Sequence, residues 1–148
     1  MDDSGNLIGK TITKIQMTAD RIAIRFILDN GDVIGAVCDA DCCSNTWIED
    51  IIAPEFALGS PVLRTGDIDL PEEFRTPSKT GNYEEEMQYY GFFIETAIGR
   101  CTLAYRNSSN GYYGGWLTWD GEEHYAGVFG QQIPVNDFVD CIQFSPPK

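Results

Sequence analysis

The chain has 148 residues, with 23 acidic and 10 basic side chains, a formal net charge of −13 and 43% hydrophobic residues. That length fits one domain over residues 1–148, able to bury a core without disulfides or a structural metal. The charge disfavours direct contact with DNA or RNA phosphates and favours basic partner surfaces, and the hydrophobic content excludes global disorder.

The chain starts Met-Asp-Asp-Ser-Gly, with no basic n-region and no apolar h-region after it, so no signal peptide is expected. No apolar run reaches the length of a membrane span. The cysteines are Cys38, Cys42, Cys43, Cys101 and Cys141. An odd number without a secretion signal fits reduced thiols in a cytoplasm.

From Thr11 the sequence reads as strand, with Ile12, Lys14 and Gln16 on one face and Thr13, Ile15 and Met17 on the other. Ile22, Ile24, Phe26 and Leu28 then alternate on one face, Asn30-Gly31 supplies a hairpin turn, and residues 33–38 return as the partner strand. Next, Ser44 or Asn45 is placed to cap a short helix through Trp47 to Ile52, with Glu49 and Asp50 in its first turn and Pro54 limiting it. A strand is expected from Val62 through Thr65 and beyond. Residues 71–86, rich in Pro, Glu, Ser, Lys and Gly, read as a mobile surface loop.

A second hairpin starts near Met87, pairing residues 89–96 with 100–106 across Ala97-Ile98-Gly99. Residues 107–115 form a Gly/Asn/Ser loop, and 116–119 a strand closed by a turn at Asp120-Gly121. The remainder alternates short apolar pieces, 125–129 and 138–144, around Pro134. Hairpin-linked strands with one or two short helices indicate an α+β domain on a mainly antiparallel sheet, with a β-sandwich or open barrel as the alternative.

Three chemistries are open to the cluster Cys38, Cys42 and Cys43. Zinc needs a second ligand pair, yet Cys101 and Cys141 are isolated and His124 is the sole histidine. A cysteine nucleophile needs a base, for which only His124 is available among histidines; Asp39 and Asp41 would raise the thiol pKa, and the helix N-terminus expected just after Cys43 would lower it. A Cys42–Cys43 disulfide would be strained. Packing as small apolar groups at a strand-to-helix corner fits better. No metal and no cofactor is therefore expected.

The segment 106–116 combines Arg106, Asn107, Ser108, Ser109, Asn110, Tyr112, Tyr113 and Trp116 with three glycines. Aromatic rings can stack on a flat ligand, and amides and hydroxyls can orient it. The same residues could equally cap a core edge and build turns. There is no phosphate-cradling G-x(4)-G-K-[ST] and no G-x-S-x-G. The spacing of Asp29, Asp32, Asp39 and Asp41 is not that of an EF-hand.

Two stretches resemble an uncharacterised family of short proteins encoded by bacteriophages and bacteria: Asp39-Ala-Asp-Cys-Cys-Ser-Asn-Thr-Trp-Ile-Glu49 and Arg106-Asn-Ser-Ser-Asn-Gly-Tyr-Tyr-Gly-Gly115. The resemblance covers residues 7–119, and Ala40 departs from the glycine expected in relatives. It carries no activity across. It implies a viral or mobile-element setting and a small accessory protein in the host cytoplasm.

In that setting the expected function is non-enzymatic: inhibition of a host nucleic-acid-handling defence protein, whose basic surface meets Asp67, Asp69, Glu72, Glu73, Glu84, Glu85 and Glu86. The first alternative is a nucleotide-like or sugar-like ligand held by 107–116. The second is a cysteine-dependent enzyme using Cys42 or Cys43 with His124. No segment singles itself out for self-association, which leaves the oligomeric state open.

Overall fold

The Asn30-Gly31 hairpin forms where the alternation places it. Strands β2 (Ala23–Leu28) and β3 (Val33–Ala40) pair antiparallel from Ala23↔Val37 to Ile27↔Val33. Gly31 N donates to Leu28 O (3.0 Å) and Leu28 N to Asp32 O (2.8 Å), with Gly31 at φ +90°. This is a turn followed by a left-handed residue, a conformation glycine adopts without a steric cost. The computed structural model of the protein describes residues 7–40, 44–75, 86–109, 114–119 and 138–144.

Strand β1 (Ile12–Thr18) pairs with β2, and the register shifts between Ile12 and Lys14. The expected alternation places Ile12 and Ile15 on opposite faces, but the bulge at Thr13 brings both into the core, fully buried. The second hairpin is longer than expected. Strands β6 (Glu86–Thr96) and β7 (Gly99–Ser109) pair from Glu86↔Ser109 to Thr96↔Gly99 around Ala97-Ile98.

The expectation of an α+β domain is overturned. Every named strand pairing is antiparallel, and the helical turns among the described residues are the short 3-10 segments Pro54–Ala57 and Glu72–Phe74. Residues expected to form a helix before Pro54 are instead strand β4 (Asn45–Ile52), bulged between Ile48 and Asp50. No helix of the described residues is long and apolar enough to cross a membrane.

With β5 (Val62–Ile68), β8 (Gly115–Trp119) and β9 (Phe138–Gln143), the strands form two sheets. A five-stranded sheet runs β8-β3-β2-β1-β9, and a four-stranded sheet runs β4-β7-β6-β5. Their facing sides share one core, with Ile15, Ile24, Phe26 and Trp119 from the first and Ile48, Phe92, Ile94 and Leu103 from the second. Trp119 joins the layers, its ring centroid 6.0 Å from Phe26 and 5.0 Å from Phe92. Such aromatic contacts add to the area they bury.

The sheets are also tied at two corners. Ile8, Thr11 and Ile12 bridge to Val62, Pro61 and Leu58. At the other corner Ile48 N donates to Arg21 O (2.9 Å), while Arg21 Nη1 donates to Glu49 O (2.7 Å). Arg21 adopts φ 66°, unfavourable for a residue with a Cβ, and these bonds hold it there. Of the loop expected over 71–86, residues 76–85 lie outside the described residues, and Glu86 already opens β6. The turn at Asp120-Gly121 and the piece at 125–129 also lie outside them.

Candidate functional site

The two stretches singled out in the sequence are neighbours in space. Strand β4 pairs antiparallel with β7, so that Asn45 faces Ser108, Thr46 faces Asn107 and Trp47 faces Arg106. On the other flank of β7, Met87 faces Ser108, Gln88 faces Asn107 and Tyr89 faces Arg106. Because side chains alternate along a strand, consecutive residues of 106–108 leave from opposite faces of the sheet.

Asn107 sits on the face toward the core and is fully buried. Its Nδ2 donates to Thr46 Oγ1 (3.0 Å) and Ser44 Oγ (3.1 Å), fixing the start of β4 against β7. The opening of β8 closes over this point: Gly115 N donates to the Tyr90 hydroxyl (3.3 Å), which itself donates to Gln88 Oε1. A Cβ on Gly115 would stand 2.0 Å from Thr46 Oγ1, so the approach of the two sheets here requires glycine. Tyr90 stacks on Tyr105, with centroids 5.0 Å apart.

The outward face carries a second polar group. Arg106 Nη1 lies 3.5 Å from Glu49 Oε1, and both side chains are only 1% exposed. Glu49, two residues beyond Trp47, leaves from the same face, and the bulge after Ile48 returns Ile51 to the core side. The Arg106 guanidinium lies 5.0 Å from the centroid of Tyr89, whose ring is also 5.5 Å from the Arg75 guanidinium. Trp47 and Ser108 complete the group, both buried. Neither Trp47 Nε1 nor Ser108 Oγ has a hydrogen-bond partner, and on the inner face Asn107 Oδ1 has none either.

The remaining expected site residues disperse. Ser109 ends β7 opposite Glu86, and Trp116 lies on the other sheet, opposite Asp39 and 42% exposed. Asn110, Tyr112 and Tyr113 lie outside the described residues. Arg100 sits at the opposite end of β7 and pairs with Glu95 at 3.0 Å. Asp67, Asp69, Glu72 and Glu73 are exposed along β5 and the turn after it. Glu86 is the first residue of β6, while Glu84 and Glu85 lie outside the described residues.

Asp41, Cys42, Cys43 and His124 also lie outside the described residues, so the corner expected at 42–43 is not placed. Cys38 and Cys101 belong to the core. Burial pushes both thiols up, Cys101 to about 12, and nearby carboxylates add to the effect. Among the described residues no three His, Cys, Asp or Glu side chains gather as metal ligands would.

The sequence reading missed Trp47, Glu49 and Tyr89. A signal existed, since Trp47 and Glu49 stand two apart, as do Arg106 and Ser108, and each pair shares a strand face. The helical reading of 47–52 concealed it.

The chain matches the family model described as a domain of unknown function, DUF7448, over residues 5–119. It is 30% identical over 112 residues to an uncharacterized protein of Acanthamoeba polyphaga mimivirus, covering 72% of this chain and 83% of that protein. No solved structure matches. The chain belongs to the DUF7448 family.

Proposed function

We propose that this member of the DUF7448 family is a non-enzymatic binding protein that engages a basic partner surface through carboxylates on and after β5. The finer reading is that the partner is a host nucleic-acid-handling defence protein, blocked by this contact in the host cytoplasm. The chain is then a virus-encoded accessory protein, of the bacteriophage type that the sequence resemblance implies. A mimivirus relative is compatible with a viral setting.

The observation that carries the proposal is the exposure of Asp67, Asp69, Glu72 and Glu73 within one short stretch of a chain of net charge −13. Arg64 is engaged by Glu95 at 2.9 Å, and Arg75 turns toward Leu70 O and the Tyr89 ring. Clustered carboxylates of this kind accelerate encounter with a basic surface and lose their reach when salt shortens the screening length.

The test compares the protein with an Asp69→Lys/Glu72→Lys/Glu73→Lys variant. Each is immobilised and offered nucleic-acid-binding proteins of the host, and captured partners are assayed for nucleic-acid binding. The parent should capture a basic protein and compete with its nucleic acid. Affinity should fall at least roughly tenfold between about 50 and about 300 mM salt, and the variant should fail to compete. A partner held equally well by the variant, or no partner whose nucleic-acid binding suffers, sinks the proposal.

A further inference from the structure

The outward face of a sheet in a two-layer fold ordinarily meets water and carries polar side chains for that reason. At the β4–β7 end the outward side chains are polar but buried: Trp47, Glu49, Arg106 and Ser108 are all at most 3% exposed. Buried polar atoms in native proteins are nearly always hydrogen-bonded, and one that is not needs an explanation, such as strain, an ordered water, an ion or a ligand. Trp47 Nε1 and Ser108 Oγ have no partner. Trp47 faces Arg106, and Ser108 is two residues further along β7, which makes the two diagonal neighbours on one face. One small molecule can therefore reach both.

The chemistry of that molecule follows from the donors. Indole nitrogen only donates, and the serine hydroxyl can donate, so the pair asks for an acceptor oxygen. An oxyanion is the poorer fit, because the Arg106 charge is met by Glu49 at 3.5 Å and a second negative charge would lie beside that carboxylate. A neutral carbonyl brings no such repulsion. Tyr89 and Trp47 provide aromatic surface on the same rung.

We infer that the outward face of β4 and β7 is a binding site for a small, uncharged, planar carbonyl compound of the nucleobase or nicotinamide kind. Its carbonyl oxygen accepts from Trp47 Nε1 and Ser108 Oγ, beside the Arg106–Glu49 pair. The inference is independent of the acidic surface on β5.

The full chain, labelled with 15N, gives a separate indole N–H resonance for each tryptophan, and Trp47→Phe identifies that of Trp47. Uracil and nicotinamide are the neutral probes, and acetate and inorganic phosphate the charged ones. Uracil or nicotinamide should shift the Trp47 resonance saturably, and Ser108→Ala should weaken that binding about tenfold while the rest of the spectrum stays in place. A shift produced by acetate or phosphate instead overturns the neutral class. A resonance unmoved by every probe, as when water alone meets the two donors, overturns the site, as does a Ser108→Ala protein that titrates like the parent.

Discussion

Removing the carboxylate of Glu49 should be among the most damaging single changes in this chain. At 3.5 Å and an effective dielectric near 20, the pair with Arg106 attracts by roughly 5 kcal/mol. The desolvation of two charges at 1% exposure offsets much of that, so the pair adds little net stability. Glu49→Ala keeps the desolvation of Arg106 and discards its compensation. Breaking a buried pair in this way costs about 3–5 kcal/mol, which for a chain of this size lowers the melting temperature by roughly 10 °C. Urea unfolding followed by tryptophan fluorescence measures the loss as a lower midpoint at unchanged slope. The double variant Glu49→Leu/Arg106→Met, which removes both charges, should recover most of it. A loss below about 1 kcal/mol for Glu49→Ala would mean that the guanidinium is served by solvent, and the argument from burial would fail.

Gly115→Ala should cost about 1–3 kcal/mol by overpacking, because the new Cβ meets Thr46 Oγ1 at 2.0 Å. Adding Thr46→Ala should return part of it, and a cycle with no coupling would refute the contact. Glu95 is held below the usual carboxylate range by hydrogen bonds from Arg100 and Arg64. Its folded pKa is depressed, so its contribution is present above the unfolded value of about 4.5 and is lost as pH falls through the folded one. The stability gap between the parent and Glu95→Gln should therefore shrink below about pH 4.5, and a gap independent of pH there argues against the ion pairs. Iodoacetamide at pH 8 should leave Cys38 and Cys101 unmodified in the folded protein, since burial raises both thiols, and should reach the exposed Cys141 before either of them. Peptide mapping that finds Cys38 alkylated before unfolding contradicts the core.

The hairpins were readable because each has an unbroken period of two and a turn whose residues suit its geometry. Two bulges account for the elements that were misread. In β1 the extra residue at Thr13 puts Ile12 and Ile15 on one side, and in β4 the extra residue at Glu49 does the same for Ile48 and Ile51. A spacing of three with acidic residues between is also what an amphipathic helix shows, so periodicity could not separate the two. Composition could have: Thr46, Trp47, Ile48, Ile51 and Ile52 are β-branched or aromatic, and such residues favour a pleated surface. The convergence of 44–49 with 106–109 was not legible, since nothing local encodes which strand lies beside β7.

Strand β7 shows where selection for something besides stability acts. Positions 101–108 are all buried, a condition that ordinarily calls for a near-continuous apolar run on both faces. The first part obeys, with Cys101, Leu103 and Ala104. The last part instead buries Arg106, Asn107 and Ser108, and β4 adds Glu49 beside them. Well-packed hydrophobic residues of similar volume would stabilise such a place at least as well as an ion pair does. Stability alone therefore does not explain the polar end, whereas a bound carbonyl compound does, because it supplies an acceptor to Trp47 Nε1 and Ser108 Oγ, two of the buried polar atoms there that lack a hydrogen bond. On the inner face the Asn107 amide nitrogen bonds to Ser44 and Thr46, which holds the start of β4 where Trp47 and Glu49 can reach the outward side.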